Sequence, residues 1–460
     1  MNTQINLDDN NPVYVLAKFI SETKYEDIPL EAIKASKTFI LDTIGVGIAG
    51  SNGPWVENLI KIVQGWGAGD DARVLVHGTK LPKASAAIVN AYQIHCLEYD
   101  CVNEDAVLHP MATIMGAILS EIDSGKVYSG KDLITAVAVG VDSSSVLGLS
   151  SRSPMRFFRP STAGAFGATA AIAKLRGFNL DEITNAFGAT YGQISGTLQP
   201  HLEGSPVLGM QIGFCARAAI SACDLAKEGL NGPKDVFSGK YGYLSLFEGE
   251  YDYINPFNNL GSVWQVSRLS HKPFPSGRLT HGMVDGVQRL MKNHKLDPDI
   301  IDSIRCIVPP LAHRLTGRPD MENPEPNYAK LCIPFVTATA IIAGTVDVSH
   351  FESQWLLKDE VHKLAQRIQS IESDEKNPNV MSPQFLEIYL KNKEVLKVTI
   401  PSIYGHPDNP LSDAENKNKF LNAWKSAAKT LDPSKAKKVI SLIENLESID
   451  DISGLIDLTL

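Results

Sequence analysis

Ala91–Pro110 reads AYQIHCLEYDCVNEDAVLHP, a polar seam of acids, imidazoles and thiols set between two apolar helical stretches. Upstream, Ala87, Ile88, Ala91, Ile94 and Leu97 recur at helical spacing, so Ala84–Leu97 is expected to be a helix carrying His95 near its end, with Glu98 just beyond. Downstream, MATIMGAILS restarts an apolar helix after Pro110, which puts His109 at or near a helix N-terminus. That position disfavours imidazolium, whereas a carboxylate such as Glu98 or Asp100 favours it. His109 is therefore expected to titrate near neutrality and to suit general acid–base work, with Asp100 orienting it or serving as the alternative base. His95, on an apolar helix face, reads as a satisfied core histidine. The seam holds no HExxH and no cysteine cluster, so no metal site is expected.

Outward from the seam the chain reads mainly as helices. Val13–Ser21 and Pro29–Ala49 precede it, the second stopped by Gly50, Ser51, Asn52, Gly53 and Pro54, and Trp55–Val63 follows. Arg73–His77 alternates like a short strand. Beyond the seam nearly every segment to Gly229 is helical, with Gly, Ala and Ser recurring in Thr162–Ala173 and Gly188–Thr197 where helix backbones can approach closely. After Asn255 the texture changes. Ile304–Val308 is β-rich, Glu387–Leu390 and Val395–Ile400 flank a hairpin-like turn, and Met283–Lys292, Ile333–Ala343 and Glu360–Gln369 read as helices between them. Helices return at Ala414–Thr430 and Ser434–Leu446. The pattern predicts a mainly α protein: a large all-helical domain, residues 1–266 and 404–460, with an inserted smaller α+β lid domain, residues 267–403.

At 460 residues the chain exceeds one ordinary core and suits two domains. A net charge of −9 and a pI of about 5.7 argue against a nucleic-acid groove, which needs clustered Lys and Arg. Six cysteines without a CxxC pair suit a reducing, cytoplasmic setting. The N-terminal MNTQINLDDNNP has no signal-peptide pattern, and apolar Leu331–Val346 is too short for a membrane span. Neither GxGxxG after a strand nor GxxxxGK[ST] occurs, so no dinucleotide or P-loop site is expected.

HCLEYD with the later LHP resembles the H-x-L-D-x-D-D…HP segment of the MmgE/PrpD family, which contains 2-methylcitrate dehydratase, cis-aconitate decarboxylase and iminodisuccinate epimerase. LDTIGVGIAG near Asp42, FRPSTAGAFGATAAIAK near Arg159, KPFPSGRLTH near Lys272 and GHPDNP near His406 extend the resemblance over essentially the whole chain. It implies a helical domain with a smaller α+β lid, a homodimer, and a cofactor-independent site between the domains for a small di- or tricarboxylate. Residue by residue, Glu98, Asp100 and Cys101 stand at the three acidic positions, His109 at the HP histidine, Lys272 at the lysine of K-x-[YF]-P, and His281 at the histidine closing that motif.

Two departures stand out. Where the family has a histidine before the small-residue helix, this chain has Arg159; where decarboxylase-like members have a lysine before GxxAR, it has Leu208. A guanidinium binds carboxylate well and does not deprotonate, so Arg159 reads as an anchor. The resemblance thus implies a lyase, dehydratase or decarboxylase in type and 2-methylcitrate dehydratase-like. His109, Asp100 and Lys272 would be its catalytic groups. Arg159, Glu98, Ser161, Ser276, Arg278, Gln199, His201 and His281 would bind substrate, Gln199 and His201 standing in for the missing lysine. An epimerase or isomerase working by the same proton abstraction, and an inactive polycarboxylate-binding homologue, are the alternatives.

Overall fold

The first half of the chain is a stack of helices in a computed structural model that describes residues 10–460. In order these are α1 (Pro12–Glu22), α2 (Leu30–Gly50), α3 (Val56–Trp66), α4 (Lys83–His95), α5 (Pro110–Ile122), α6 (Gly130–Leu149), α7 (Arg159–Arg176), α8 (Leu180–Tyr191), α9 (Gln199–Glu203) and α10 (Val207–Lys227). Several begin where a side chain takes up an otherwise orphaned backbone N–H: Asn11 caps α1, Ser129 caps α6 and Asn179 caps α8. Helices α4 to α7 are buried on almost every face. Among the described residues α6 alone is long and apolar enough to cross a membrane, and it lies inside this core.

Small residues set the spacing around α4, the helix that delivers the seam. A Cβ at Gly116 of α5 would stand 2.4 Å from the Ala91 Cβ, and one at Gly213 of α10 would stand 2.6 Å from the Ile88 carbonyl oxygen. Helix α4 is therefore clasped between α5 and α10 at distances only glycine allows.

Two short antiparallel ribbons accompany the helices: β1 (Ala72–Arg73) pairs with β2 (Lys80–Leu81), and β3 (Val102–Asn103) pairs with β4 (Leu269–Ser270). The strand expected over Arg73–His77 is confined to its first residue. The Leu75 N–H donates to the Asn90 side chain and Val76 takes a φ of 65°, so the chain turns back there.

After α11 (Ile254–Asn258) the chain builds a second unit. Its sheet holds β5 (Ile301–Val308), β6 (Ile368–Glu372), β7 (Gln384–Leu390) and β8 (Val395–Ile400) in the order β6-β5-β7-β8, with β6 parallel to β5 and the other pairs antiparallel. Helices α12 (His281–Met291), α13 (Pro310–Thr316), α14 (Pro326–Lys330), α15 (Ile333–Ala343), α16 (Ser353–Leu356) and α17 (Asp359–Ala365) accompany it. The helix expected over Glu360–Gln369 stops at Ala365, because Ile368 and its successors pair with β5. Helices α18 (Asp413–Lys425), α19 (Pro433–Glu444) and α20 (Leu455–Leu458) return to the first unit, where Phe420 packs on Gly45 and Lys419 pairs with Asp42 at 2.7 Å. Mainly helical architecture in two units follows, each with its own apolar core. One core spans α1 to α10 and the returning helices, and the other spans Phe274 to Ile403 together with Val102, Val107 and Met155 from the first unit.

Candidate active site

Helix α4 ends at His95 and the chain turns at once, the Glu98 N–H donating to the His95 carbonyl. Glu98 adopts φ 53° and Val107, closing the next turn, φ 51°. Such left-handed backbone costs a residue with a side chain about 1–3 kcal/mol and is held here by the surrounding packing. Pairing of β3 with β4 then brings Lys272 beside Glu98, with Lys272 Nζ 2.9 Å from Glu98 Oε2 and 3.2 Å from the Glu98 carbonyl. His109 is the N-cap residue of α5.

These elements assemble a buried charge array. His95 Nδ1 lies 3.1 Å from both Asp100 oxygens, and its Nε2 is 3.2 Å from Glu98 Oε1. His109 Nδ1 is 3.3 Å from Asp100 Oδ2, and its ring stands edge-on to that of His95. Burial alone would lower the pKa of His95, but Asp100 and Glu98 outweigh it and raise the value to about 9, so His95 is an imidazolium. For Asp100 and Glu98 burial would favour the neutral acid. The His95 cation beside Asp100, and the Lys272 and His95 cations beside Glu98, hold both well below the usual carboxylate range. Burial and the Lys272 charge push His109 below its ordinary value, so it is neutral at pH 7. The Asp100 carboxylate 3.3 Å from His109 Nδ1 can only accept, which favours the tautomer with the hydrogen on Nδ1 and a lone pair on Nε2.

Glu98 and His109 face a cavity of about 60 Å³ between the two cores. His201 lines the same cavity, and its Nδ1 lies 3.1 Å from Arg318. A guanidinium only donates, so His201 Nδ1 accepts and its Nε2 bears the hydrogen. Burial and Arg318 lower the His201 pKa to about 3, which keeps the ring neutral. The cavity thus meets two neutral imidazoles of opposite character, an acceptor on His109 and a donor on His201. Behind the array Lys330 is fully buried with its Nζ 3.1 Å from the Cys96 carbonyl, and burial lowers its pKa to about 8. The nitrogens and oxygens of His95, Asp100 and His109 also lie within 4.8 Å of one another, close enough to surround a small cation.

Of the residues expected at the site, the structure brings together Glu98, Asp100, His109, Lys272 and His201. Arg278 reaches the cavity wall, yet its five N–H groups are spent on Glu104 Oε1 and on the carbonyls of His271, Ile403 and Tyr404. The others lie elsewhere. Arg159 donates to Glu248, Ser151 and the Ala106 carbonyl; Ser161 is bonded to the Ser195 and Gln211 carbonyls; Ser276 is bonded to Thr280; His281 Nε2 to the Ser276 carbonyl; and exposed Gln199 to Glu203.

Comparison with known proteins supplies the lineage. The MmgE/PrpD N-terminal domain matches residues 15–254 and the MmgE/PrpD C-terminal domain matches residues 274–448. The chain belongs to the MmgE/PrpD family. Similar proteins include a cis-aconitate decarboxylase-like protein, oryM, of Aspergillus oryzae, 26% identical over 98% of this chain and 97% of its own. The cis-aconitate decarboxylases of Mus musculus and Aspergillus terreus are each 25% identical, over 92% and 96% of this chain and 88% and 94% of their own. In this MmgE/PrpD protein the residue facing the cavity at the start of α7 is Phe158, whose ring lies 5.8 Å from that of His95, and Arg159 turns away into the core. Leu208 is buried in the helical core. His95, read from sequence as a packing residue, is the centre of the array. Lys330 and Arg318 come from the second unit and carry no local signal that ties them to the seam.

Proposed function

We propose that this MmgE/PrpD protein is a lyase that works by proton transfer next to a carboxylate of a small organic acid. The observation that carries the reading is the pair of neutral imidazoles on one cavity, His109 with an open lone pair and His201 with an N–H. In a dehydration, His109 Nε2 takes the proton from the carbon next to the carboxylate. The C–H electrons form the new double bond, the C–O bond breaks, and the departing hydroxyl leaves as water with the His201 Nε2 proton. Asp100 stabilises the imidazolium formed on His109 and fixes its ring, and His95 in turn holds Asp100 ionised. Lys272 uses two of its three N–H groups on Glu98, and the third is assigned to the substrate carboxylate once the cavity opens. The similarity to proteins named cis-aconitate decarboxylase supports a small tricarboxylate as the first class to test, with loss of carbon dioxide as the sister reaction.

A second reading is favoured by the same pair. Two imidazoles on one cavity are also what an epimerase needs, one removing a proton and the other returning it. Proton NMR of reactions in deuterated buffer with 2-methylcitrate, citrate, cis-aconitate and iminodisuccinate separates the readings. A lyase yields an alkene or a decarboxylated product, whereas an epimerase yields the inverted substrate with deuterium at the reacting carbon. Turnover that is indifferent to both His109→Ala and His201→Ala would remove both.

A further inference from the structure

Three buried lysines converge on the turn that carries the carboxylates of the array. Lys330, at the end of α14, places its Nζ 3.1 Å from the Cys96 carbonyl. Lys272, just after β4, reaches the Glu98 carbonyl at 3.2 Å, and Lys419 of α18 reaches the Tyr99 carbonyl at 3.0 Å. Each of the three is at most 6% exposed. They come from separate parts of the chain, yet each donates to a backbone oxygen of the short stretch that follows His95.

Those oxygens need holding. The last carbonyls of α4 have no partner within the helix, and a helix C-terminus favours a cation. Glu98, at φ 53°, turns the chain out of the helix through a backbone region that a residue with a side chain seldom adopts. The Tyr99 carbonyl belongs to the peptide that leads into Asp100. With one carboxylate Asp100 must reach His95 at 3.1 Å and His109 at 3.3 Å, so a rotation of that peptide takes it off one imidazole or the other.

Neither Lys330 nor Lys419 lines the cavity between the cores. Lys419 is paired with Asp42 of α2 at 2.7 Å, and its ammonium lies 4.2 Å from the centre of the Tyr99 ring. Lys330 makes no ion pair among the described residues, and burial lowers its pKa to about 8. An ammonium buried in this way costs stability that a methionine of similar size would not. We propose that Lys330 and Lys419 are positioning residues of the reaction: with Lys272 they clamp the turn from Cys96 to Tyr99 so that Asp100 meets both imidazoles, and Asp42 holds Lys419 in place. The inference rests on the reading of His109 and Asp100 as the proton-transfer groups, and it gives the aspartate of the LDTIGVGIAG stretch a purpose.

Hydrogen exchange measured by mass spectrometry on the full-length, ligand-free protein, together with kcat and KM for cis-aconitate and 2-methylcitrate, tests the clamp. The variants are Lys330→Met, Lys419→Met, and Lys419→Met combined with Asp42→Asn. Lys419→Met strands the Asp42 carboxylate and is expected to lower the melting temperature, whereas the added Asp42→Asn removes the buried charge and is expected to restore most of it. The Tyr99 carbonyl still lacks its donor in the double variant. Backbone exchange from Gln93 to Asn103 is therefore expected to stay faster than in wild type, with exchange elsewhere unchanged. In the same variant kcat is expected to stay depressed by up to about 100-fold with KM little changed. Lys330→Met is expected to show the same local exchange and the same loss of kcat while melting close to wild type. Turn protection and kcat that recover with the melting temperature in the double variant would make Lys419 a partner of Asp42 alone and overturn the proposal for it. Wild-type exchange of the turn in Lys330→Met would overturn it for Lys330. Faster exchange of the turn beside an unchanged kcat leaves the clamp standing and sinks the proton-transfer reading that gave it a catalytic purpose. A wild type inert toward both acids does the same to that reading, and the exchange data then decide the clamp.

Discussion

His95 and His109 are neighbours with opposite protonation, and that difference is the working feature of the site. His109 must be neutral to accept a proton, and its pKa lies below the ordinary histidine value, so activity is expected to persist to pH values below about 6.5 and to fall only as His109 protonates. His95 must stay charged to hold Asp100 ionised. An alkaline fall is therefore expected at about 9. A pH profile of kcat/KM checks both limbs; an acid limb above pH 7 would contradict the assignment of His109 as base. The same His95 shift has a stability sign. Its folded pKa is raised above the unfolded value, so its stabilising contribution is complete below about pH 6.5 and is lost as pH rises through about 9, which denaturation at a series of pH values can follow. With His95 protonated, chelators are expected to leave activity unchanged, and activity lost to a chelator and restored by zinc would reassign His95, Asp100 and His109 to a metal. The seam from Glu98 to His109 is legible as a site because its members lie within a dozen residues of one another. His95 misleads because four apolar neighbours surround it in sequence while its carboxylate partners come after the turn. Arg159 misleads by one residue: at the first turn of α7 a single step of about 100° sends Phe158 to the cavity and Arg159 to Glu248, a partner far along the chain.

At the scale of elements, the position of His109 is set by how closely α5 can approach α4. Gly116→Val is expected to destabilise the protein by about 1–3 kcal/mol, because the Ala91 backbone leaves no room for the added atoms. Chemical denaturation measures this, and activity is expected to fall as well, since the shift moves the helix that His109 caps. A surface glycine such as Gly65, with open space around it, is the control and is expected to tolerate alanine. The long helices are legible from period and caps because both signals are local. Strand β6 is not. Its sequence, Ile368 to Glu372, mixes polar and apolar residues directly after a helical run, and it becomes a strand by pairing with β5, more than sixty residues earlier.

For the whole molecule, the buried pair of Arg278 and Glu104 ties the second unit to the first, with Nη2 2.7 Å from Oε1. Arg278→Leu strands Glu104 without its partner and is expected to cost about 3–5 kcal/mol, whereas Arg278→Leu combined with Glu104→Leu is expected to recover most of that loss. A double-mutant cycle by denaturation that shows no recovery would contradict this. The cavity of about 60 Å³ has room for roughly two waters and not for a substrate, so the second unit is proposed to act as a lid that opens. Small-angle scattering is expected to show the unliganded protein more extended than the structure described here and more compact on saturation with a bound acid; no change would count against lid motion. The central claim remains that His109 is the base. Its most direct test is the rate of deuterium incorporation next to the carboxylate, measured by NMR on the acid that the wild type binds best, for wild type and His109→Gln at equal saturation. The account predicts that the variant still binds but exchanges about 100- to 10,000-fold more slowly. Exchange at the wild-type rate in His109→Gln would contradict it.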